Sequence, residues 1–413
     1  MARNRVIYQS QALYAAATGE MTGHQIMRVQ DVSHTVDIAR QDVNEFGKLA
    51  AITREVIEPP TVGTDFTYYL GSGQNEAFLG LYVQGIEPAK LAPGNIGNTT
   101  YAASYVTGGT DEKSAVCALI GGDGQQNQKN LYVRTVEEGD DVVGIASGKA
   151  ETVLGIGNAF VTDYTINAAV GDLPTVSVSV EGNNMNVTET TAASGGAVTG
   201  VQNAGLNQNG TKINIDGGVT WGFTGAAGMG ITTGVMNSTQ TLLSGSDGWY
   251  DWSAGNFVSQ GFSALRPGDM SLSLGSGIGI VTLDDLHVQS ASVSIPLSRT
   301  SLNKIGSRYA YFKAPDFPAT ATMTINGIVA SGTGSNVADI ICNSSGENIY
   351  LDFRTPDCTD DKTAFRVKLK DATVDNLSLS SSIGDNQTVD VTWSTQMGAA
   401  GDTDAGVFLR SNF

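Results

Sequence analysis

The sequence predicts an all-β protein that contains a duplicated unit. Three observations lead to this class: a composition rich in glycine and poor in charged residues, segments that alternate apolar and polar residues, and a gapless internal repeat. Alternation puts one side of a strand on a core and the other in solvent, which is the pattern of half-buried β-strands.

The composition favours many short strands joined by turns. The 413 residues suffice for ~2 to 3 domains with a sizeable core. Glycine contributes 51 residues, whereas charged side chains make up only 15%. Glycine supplies the backbone conformations of tight turns, and Val and Thr fit a pleated surface, so strands are expected rather than long helices.

The charge and the cysteines exclude several classes of protein. A net charge of −18 disfavours a basic groove for nucleic acid, because phosphate contacts need clustered Lys and Arg. The cysteines form no CxxC pair, so we expect free thiols in a protein assembled in the cytosol; they are Cys117, Cys342 and Cys358. The chain has no apolar run long enough for a transmembrane helix, and its N-terminus lacks the apolar core of a secretory signal.

The first repeat aligns residues 29–70 with 288–329 at a constant offset of 259. Nine of the 42 positions are identical, where composition alone would give roughly two or three. The identical pairs are Val29/Val288, Gln30/Gln289, Ser33/Ser292, Arg40/Arg299, Asn44/Asn303, Gly47/Gly306, Ala51/Ala310, Pro59/Pro318 and Thr61/Thr320. This alignment predicts a duplicated unit.

A second repeat aligns residues 161–180 with 374–393 at an offset of 213, in the same chain order. Its shared residues are Val161/Val374, Gly171/Gly384, Asp172/Asp385, Thr175/Thr388, Val176/Val389 and Val178/Val391. The two offsets differ by 259 − 213 = 46, so the first copy carries 46 more residues, which fall within 71–160.

Strands can be placed within the repeats. TVSVSVEG and TVDVTWST alternate with period 2, and each follows a Gly-Asp turn, so each is predicted to form a hairpin with YTINAAV or LSLSSSI. VSHTVDI, FTYYL and ATMTINGIV are further strands. Between the first two of these, Val43, Phe46 and Ala50 have helical spacing, and this segment fits either one or two helical turns or a packed loop.

The predicted organisation is unit one at 1–185, with extra loops within 71–160, a connector at 186–262 rich in Gly, Ser, Thr and Asn, and unit two at 263–413. The connector is interpreted as a long, partly ordered linker. The alternative is an ordered arm that touches a neighbour, because clustered aromatic side chains in a polar loop usually bury against something. Those side chains are Trp249, Tyr250 and Trp252.

No motif for catalysis, cofactor binding or metal binding is found, and none of these sites is expected. His24, His34 and His287 stand in no metal-binding pattern, and neither a GxSxG elbow nor a phosphate loop occurs. The acidic clusters have no EF-hand spacing, and adjacent acids on a strand point to opposite faces, so we interpret them as solvated surfaces. They are Glu137, Glu138, Asp140 and Asp141, and separately Asp284 and Asp285.

Four segments carry a resemblance to a known family: the pattern V-x-I-x-R-x-x-V-N-E-F-G at 36–47, PPTVGTDFTYYL at 59–70, YTINAAVGDLPTVSVSVEG at 164–182 and LRPGDMSLSL at 265–274. In these segments the sequence resembles the major tail tube proteins of long-tailed, siphovirus-like bacteriophages. The resemblance covers most of both units but not the connector. Unit two departs from the pattern, with Lys304-Ile305-Gly306 in place of Glu45-Phe46-Gly47.

The resemblance implies β-sandwiches with a short helix whose inner sheets join into a ring β-barrel. A duplicated chain is similar to the subset in which three chains form a pseudo-sixfold ring, and the rings stack into a tube that conducts DNA without binding it specifically. The implied partners are further copies of the chain and other tail proteins, namely the tape measure, tail terminator and distal tail proteins. The implied location is the virion, after assembly in the cytoplasm of the bacterial host, with no membrane, cofactor or enzymatic activity.

Two other functions stay open. One is a capsid-decoration or head–tail connector protein built from β-sandwiches. The other is a β-rich carbohydrate-binding or glycan-cleaving protein, in which Trp249, Tyr250 and Trp252 would stack on sugars.

Overall fold

A computed structural model describes most of both units and little of the connector. The described residues are 10–17, 22–50, 52–58, 61–71, 73–85, 108–109, 111–120, 129–139, 142, 150–182, 184–191, 198–201, 240–243, 270–274, 286–302, 305, 312–329, 346–354, 363–382, 386–399 and 401–411.

The chain is an all-β protein, as predicted, with two short helices among the described residues. Unit one contains β1 (Gln11–Ala17), β2 (Thr22–Gln25), β3 (Val29–Asp37), β4 (Arg40–Val43), β5 (Thr53–Val56), β6 (Thr61–Tyr69), α1 (Gln74–Leu79), β7 (Val83–Gln84), β8 (Gly108–Gly109), α2 (Cys117–Ile120), β9 (Lys129–Val136), β10 (Ala150–Ala169), β11 (Thr175–Gly182) and β12 (Asn184–Thr191). The connector contains β13 (Val198–Val201) and β14 (Gln240–Leu243). Unit two contains β15 (Met270–Leu274), β16 (Leu286–Pro296), β17 (Arg299–Leu302), β18 (Phe312–Pro315), β19 (Ala319–Val329), β20 (Glu347–Arg354), β21 (Thr363–Ser380), β22 (Thr388–Met397) and β23 (Gly406–Ser411).

A single antiparallel sheet, which we call the long sheet, runs through both units. Its strand order is β3-β6-β11-β10-β16-β19-β22-β21, so the first four strands come from unit one and the last four from unit two. The two sets have the same internal order. The sheet is therefore a head-to-tail fusion of two equivalent halves.

The strand registers confirm both sequence offsets. In unit one Val29 pairs with Tyr68, and in unit two Val288 pairs with Gly327, each 259 residues later. Likewise Thr175 pairs with Tyr69, and Thr388 pairs with Ile328. The predicted hairpins are present as β10–β11 and β21–β22. Gly171 has the positive φ, 93°, that the first of these turns requires, whereas Gly384 lies outside the described residues.

Even the irregularities of the sheet are duplicated. A register shift occurs between Val161 and Asp163 in β10 and again at the equivalent step, Val374 to Asn376, in β21. The first strand of each half also carries a bulged glutamine. The side chains of Gln30 and Gln289 donate hydrogen bonds to backbone carbonyls two residues earlier, at 2.9 and 3.2 Å. Since bulges redirect a strand, shared bulges indicate shared curvature.

The core lies on one face of the long sheet. Alternate residues of its strands are buried, and a second layer in each unit supplies the opposing side chains. In unit one that layer includes β1, β9, β12 and the first half of β10, whereas in unit two it includes β15, β20, β23 and the first half of β21. Because β10 and β21 are long enough to belong to both layers, each unit folds as a two-layer sandwich.

The segment around Val43, Phe46 and Ala50 is neither helical nor a packed loop. It belongs to a hairpin in which β4 pairs with β5, and residues 40–50 are exposed. Strand pairing satisfies the backbone here, and the apolar side chains meet no core that would fix a helical face. Both helices lie elsewhere in unit one, and the described residues of unit two contain no helix.

The extra residues of unit one reach across to unit two. Strand β7 pairs in parallel with β23, and the backbone N–H of Ala115 donates to Val407 O at 2.7 Å. The ammonium of Lys368 also lies 2.6 Å from the Glu112 carboxylate. The predicted surplus within 71–160 thus ties the two units together.

The described part of the connector contributes two strands. Strand β14 pairs in parallel with β2 and antiparallel with β13. The predicted aromatic cluster of Trp249, Tyr250 and Trp252 lies outside the described residues. The domain limits stay a prediction, and β12 runs across residue 185.

Candidate functional site: a long sheet with two open edges

The two units are joined in the long sheet by the pairing of β10 with β16. Seven residue pairs run from Asp163↔Pro296 to Ala169↔Ser290. On the core face of this junction Tyr164 pairs with Ile295 and Ile166 with Val293, and all four side chains are fully buried. The last strand of the first half thus pairs with the first strand of the second half.

The outer edges of the long sheet are open in the single chain. They are β3 at one end and residues 373–380 of β21 at the other, and no strand among the described residues pairs with either outer edge. Apolar side chains remain exposed there. Val36 is 47% exposed and Leu379 48%, whereas their equivalents at the internal junction, Ile295 and Ile166, are both 0% exposed. Open edges with apolar side chains are potential pairing surfaces.

The strands of the long sheet present a polar face opposite the core and contribute no lysine or arginine to it. The eight strand segments that form the sheet contain no lysine or arginine. Serine, threonine and asparagine dominate this face, and its charged side chains are acidic. They include Asp31, Asp65, Asp163 and Asp390, whereas Glu181, at the end of this face, is paired with Lys313 of the strand β18. A surface of this kind offers phosphate groups no counter-charge.

Hydrogen bonds organise these polar side chains among themselves. Asn326 donates to the Asp390 carboxylate at 2.6 Å, and Thr165 donates to Asp163 at 3.1 Å. The Thr67 hydroxyl donates to Asp31. Burial raises the pKa of Asp163, and the bond from Thr165 opposes that shift. These polar side chains therefore satisfy one another's hydrogen-bonding groups within the face.

Cations are concentrated instead on the second layer of unit two. The first half of β21 carries Arg366, Lys368 and Lys370, whereas residues 371–380 of the same strand carry none. Arg366 makes two charge-assisted hydrogen bonds to Asp352, at 2.5 and 2.7 Å. That pairing is the main cause of the raised pKa of Arg366. Within β21, the cations thus lie on the part of the strand that belongs to the second layer and not on the part that belongs to the long sheet.

A buried carboxyl group lies in the core of unit one. Glu76 in α1 accepts hydrogen bonds from the hydroxyls of Tyr68 at 2.8 Å and Tyr164 at 3.1 Å. Burial raises the pKa of Glu76, and the tyrosine hydrogen bonds oppose that rise. Since all three side chains are fully buried, we assign this cluster to the positioning of α1 against the long sheet.

The residues considered for chemistry do not converge. His34 lies in β3 with its ring 3.2 Å from the Thr64 hydroxyl, and burial lowers its pKa. His287 is exposed in β16, and Glu137 and Glu138 lie at the end of β9. Among the described residues no group of His, Cys, Asp or Glu could hold a metal ion, and no helix is long and apolar enough to cross a membrane.

The remaining residues considered for metal binding or catalysis lie outside the described residues. They are Asp140, Asp141, Asp284, Asp285, Cys342 and Cys358, together with the side chain of His24. Cys117 lies in α2, where burial raises the pKa of its thiol.

The resemblance implied that the inner sheets of the two units join, but composition and periodicity did not indicate it. One signal in the sequence agrees with it: the repeat-matched strands that share the sheet contain no lysine or arginine. That signal is not specific, because β1, β12 and β15, which lie outside the long sheet, lack these residues too.

Comparisons with known proteins give structural matches only. No protein-family model and no curated protein matches the chain. Among solved structures, the chain is similar to a chain of the PVC sheath–tube complex of an extracellular contractile injection system in its extended state. That match has 13% identity and a TM-score of 0.24, and covers 35% of this chain and 88% of the other. It is similar to the tube-terminating cap of the anti-feeding prophage, with 11% identity, a TM-score of 0.26 and coverage of 40% and 100%. A third match is an Hcp protein, with 11% identity, a TM-score of 0.16 and coverage of 29% and 74%. TM-scores this low indicate no function for the chain.

Proposed function

We propose that the chain is a structural protein that joins copies of itself head to tail through its sheet edges and closes into a ring. One observation carries the proposal: the internal junction already pairs the last strand of one unit with the first strand of the next. The free edges are the equivalents of those same two strands. A contact that uses different surfaces on the two partners repeats until a rotation closes it into a ring.

The internal junction supplies the register for the contact between chains. Shifting β10 by 213 and β16 by 259 residues converts Tyr164↔Ile295 into Leu377↔Val36, and Thr165↔Ser294 into Ser378↔Thr35. The same shifts give Leu379 opposite His34. Pairing in this register would cover the apolar side chains that are exposed at both edges.

Three chains supply six units and close the ring with pseudo-sixfold symmetry, as in the proteins that the sequence resembles. Rings stack into the tail tube of a long-tailed, siphovirus-like bacteriophage, located in the virion after assembly in the host cytoplasm. The chain has no enzymatic role. Tape measure, tail terminator and distal tail proteins are its proposed further partners.

The polar face of the long sheet lines the lumen in this proposal. The opposite face is committed to the core, so the polar face stays in solvent when the sheet curves into a barrel. Its acids and its lack of cations suit a conduit, because DNA that meets no counter-charge passes without specific binding.

The two alternative functions make different demands. A capsid-decoration or connector protein would not polymerise with itself into long tubes. A carbohydrate-binding protein would use the aromatic cluster of the connector and would have no need for complementary open edges.

The test combines electron microscopy with a thiol pair. Negative-stain images and the mass of a single ring should show stacked rings of three chains. The double variant Thr35→Cys with Ser378→Cys should form a disulfide between chains, because directly opposed strand residues lie within bonding range. Ser33→Cys with Ser378→Cys, two residues out of register on the same face, is the matched control. Equal cross-linking in both variants would contradict the proposed junction, and six chains per ring would contradict closure of the ring by three chains.

A further inference from the structure

Two equivalent hairpins of the chain are in opposite environments. In unit one β4 pairs with β5, and Asp42 lies opposite Arg54. In unit two β17 pairs with β18, and Ser301 lies opposite Lys313. All four registered pairs of the first hairpin reappear 259 residues later. We call them the first hairpin (40–56) and the second hairpin (299–315).

The second hairpin is docked on unit one by two buried cations. Arg299 is 9% exposed and donates to Leu119 O at 2.6 Å, and its guanidinium lies 4.4 Å from the centre of the Phe160 ring. The ammonium of Lys313, 2% exposed, lies 2.6 Å from the Glu181 carboxylate. Burial lowers the pKa of both groups, that of Arg299 to about 10. The contacts lie directly beside the internal junction of the long sheet.

The first hairpin has the same cation positions but no such contact. Arg40 stands where Arg299 does, and Arg54 where Lys313 does. Residues 40–50 and 52–58 are all exposed, and Arg54 reaches only Asp42 of its own hairpin, at 2.6 Å. The hairpin also exposes several large apolar side chains: Val43, Phe46, Leu49, Ile52 and Val56. Several large exposed apolar side chains within one short hairpin indicate an interaction site.

We propose that the first hairpin docks on unit two of a second copy of this chain, beside the junction of β21 with β3. This inference rests on the proposed function and names the surface that completes it. The second hairpin follows β16 and lies over β10 and β11. The first hairpin follows β3, so in the joined sheet it lies over the neighbour's β21 and β22.

The docking surface on the second copy is given by the same offsets. Thr373 is the equivalent of Phe160, and Ser394 is the equivalent of Glu181. Thr373 pairs with Ser394, just as Phe160 pairs with Glu181. The neighbour therefore offers neither the aromatic ring nor the carboxylate that hold the second hairpin. Docking between chains uses fewer strong contacts than docking within a chain, and the apolar side chains of the first hairpin contribute to it.

The test builds the internal ion pair into the contact between chains. In the double variant Arg54→Lys with Ser394→Glu, the new amine takes the position equivalent to Lys313 and the new carboxylate the position equivalent to Glu181. In the proposed contact the amine belongs to one chain and the carboxylate to its neighbour. A zero-length carbodiimide would couple each pair as an amide, in rings mixed from isotopically labelled and unlabelled chains. Peptide mass spectrometry should find positions 54 and 394 joined between chains. The native Lys313–Glu181 amide is the positive control in the same sample, and Arg54→Lys with Ser394 retained is the negative control.

The outcomes separate this inference from the proposed function. Rings that form the 35–378 disulfide and the 313–181 amide, but no 54–394 amide between chains, would overturn the docking alone. Absence of rings and of the 35–378 disulfide would overturn both. Hydrogen exchange on the wild type gives a second measure: backbone amides of the first hairpin should exchange more slowly in the ring than in the single chain, and unchanged exchange would contradict the docking.

Discussion

Replacing Leu379 with Asp should abolish ring formation and leave the single chain folded. In the single chain Leu379 is 48% exposed at the outer edge of β21, so a carboxylate there remains in contact with water. In the joined sheet the same position corresponds to Ile166, which is 0% exposed. The substitution therefore acts mainly on the assembled state.

The size of the effect follows from burial. Covering the exposed half of a leucine side chain contributes about 1 kcal/mol, half of the ~2 kcal/mol for full burial. Burying an unpaired carboxylate costs several kcal/mol, here taken as ~3 kcal/mol. Each contact between chains is therefore expected to weaken by about 4 kcal/mol, which is roughly a thousandfold in affinity. Because a ring closes only when every contact forms, the loss is repeated at each junction.

The assay is sedimentation velocity with negative-stain microscopy, and circular dichroism checks the fold. Ser380→Asp is the matched control, because it places the same charge on the same strand but on the polar face, opposite Thr388 rather than an acid, where it should be tolerated. Normal rings from Leu379→Asp, or equal loss of rings from both variants, would refute the assignment of this edge as the contact.

Three more predictions concern the core, the polar face and the docked hairpin. Burial raises the pKa of Glu76 above its ordinary value of 4.5, so the folded state favours the protonated carboxyl, and this contribution to stability is full below that value and is lost as pH rises. Replacing Glu76 with Gln removes the titrating group, so the gain in melting temperature from Glu76→Gln should grow from pH 4 to 7. A gain that does not change with pH would contradict this prediction. Asp65→Lys with Asp390→Lys should give tubes that bind a DNA duplex with strong salt dependence in fluorescence anisotropy, whereas wild-type tubes should not bind. Arg299→Ala should lower the free energy of unfolding by about 2–3 kcal/mol in a denaturant titration, through loss of a charged hydrogen bond and a ring contact, and the exposed Arg40→Ala is its control.

The strands of each unit could be predicted because their pattern is local. TVSVSVEG and TVDVTWST become β11 and β22, with Val176, Val178 and Val180 buried in alternation. The repeat offsets also predicted that equivalent strands pair in the same register. A shift by one residue would turn every valine to the opposite face, so the register has to be kept in both copies.

The segment at 43–50 could not be predicted, because its environment rather than its spacing decides its conformation. Val43 and Phe46 have helical spacing but meet no core in the single chain. The pairing of β7 with β23 could not be predicted either, because it joins residues more than three hundred positions apart in the sequence. Such pairings depend on the finished shape of both units.

In the proposed ring, half of the junctions between units lie within chains and only the other half form between chains, because each chain already contains one such junction. Its internal junction is held by the covalent connection, by Arg299 and Lys313, and by the segment that pairs β7 with β23. The proposed junction between chains keeps the strand register but places Thr373 and Ser394 where the internal junction has Phe160 and Glu181. The two kinds of junction would alternate around the ring, so its true symmetry would be threefold even where the sheet follows a sixfold path. An assembly of this kind can dissociate at its weaker junctions without unfolding its units, because the strongest contacts lie within each chain.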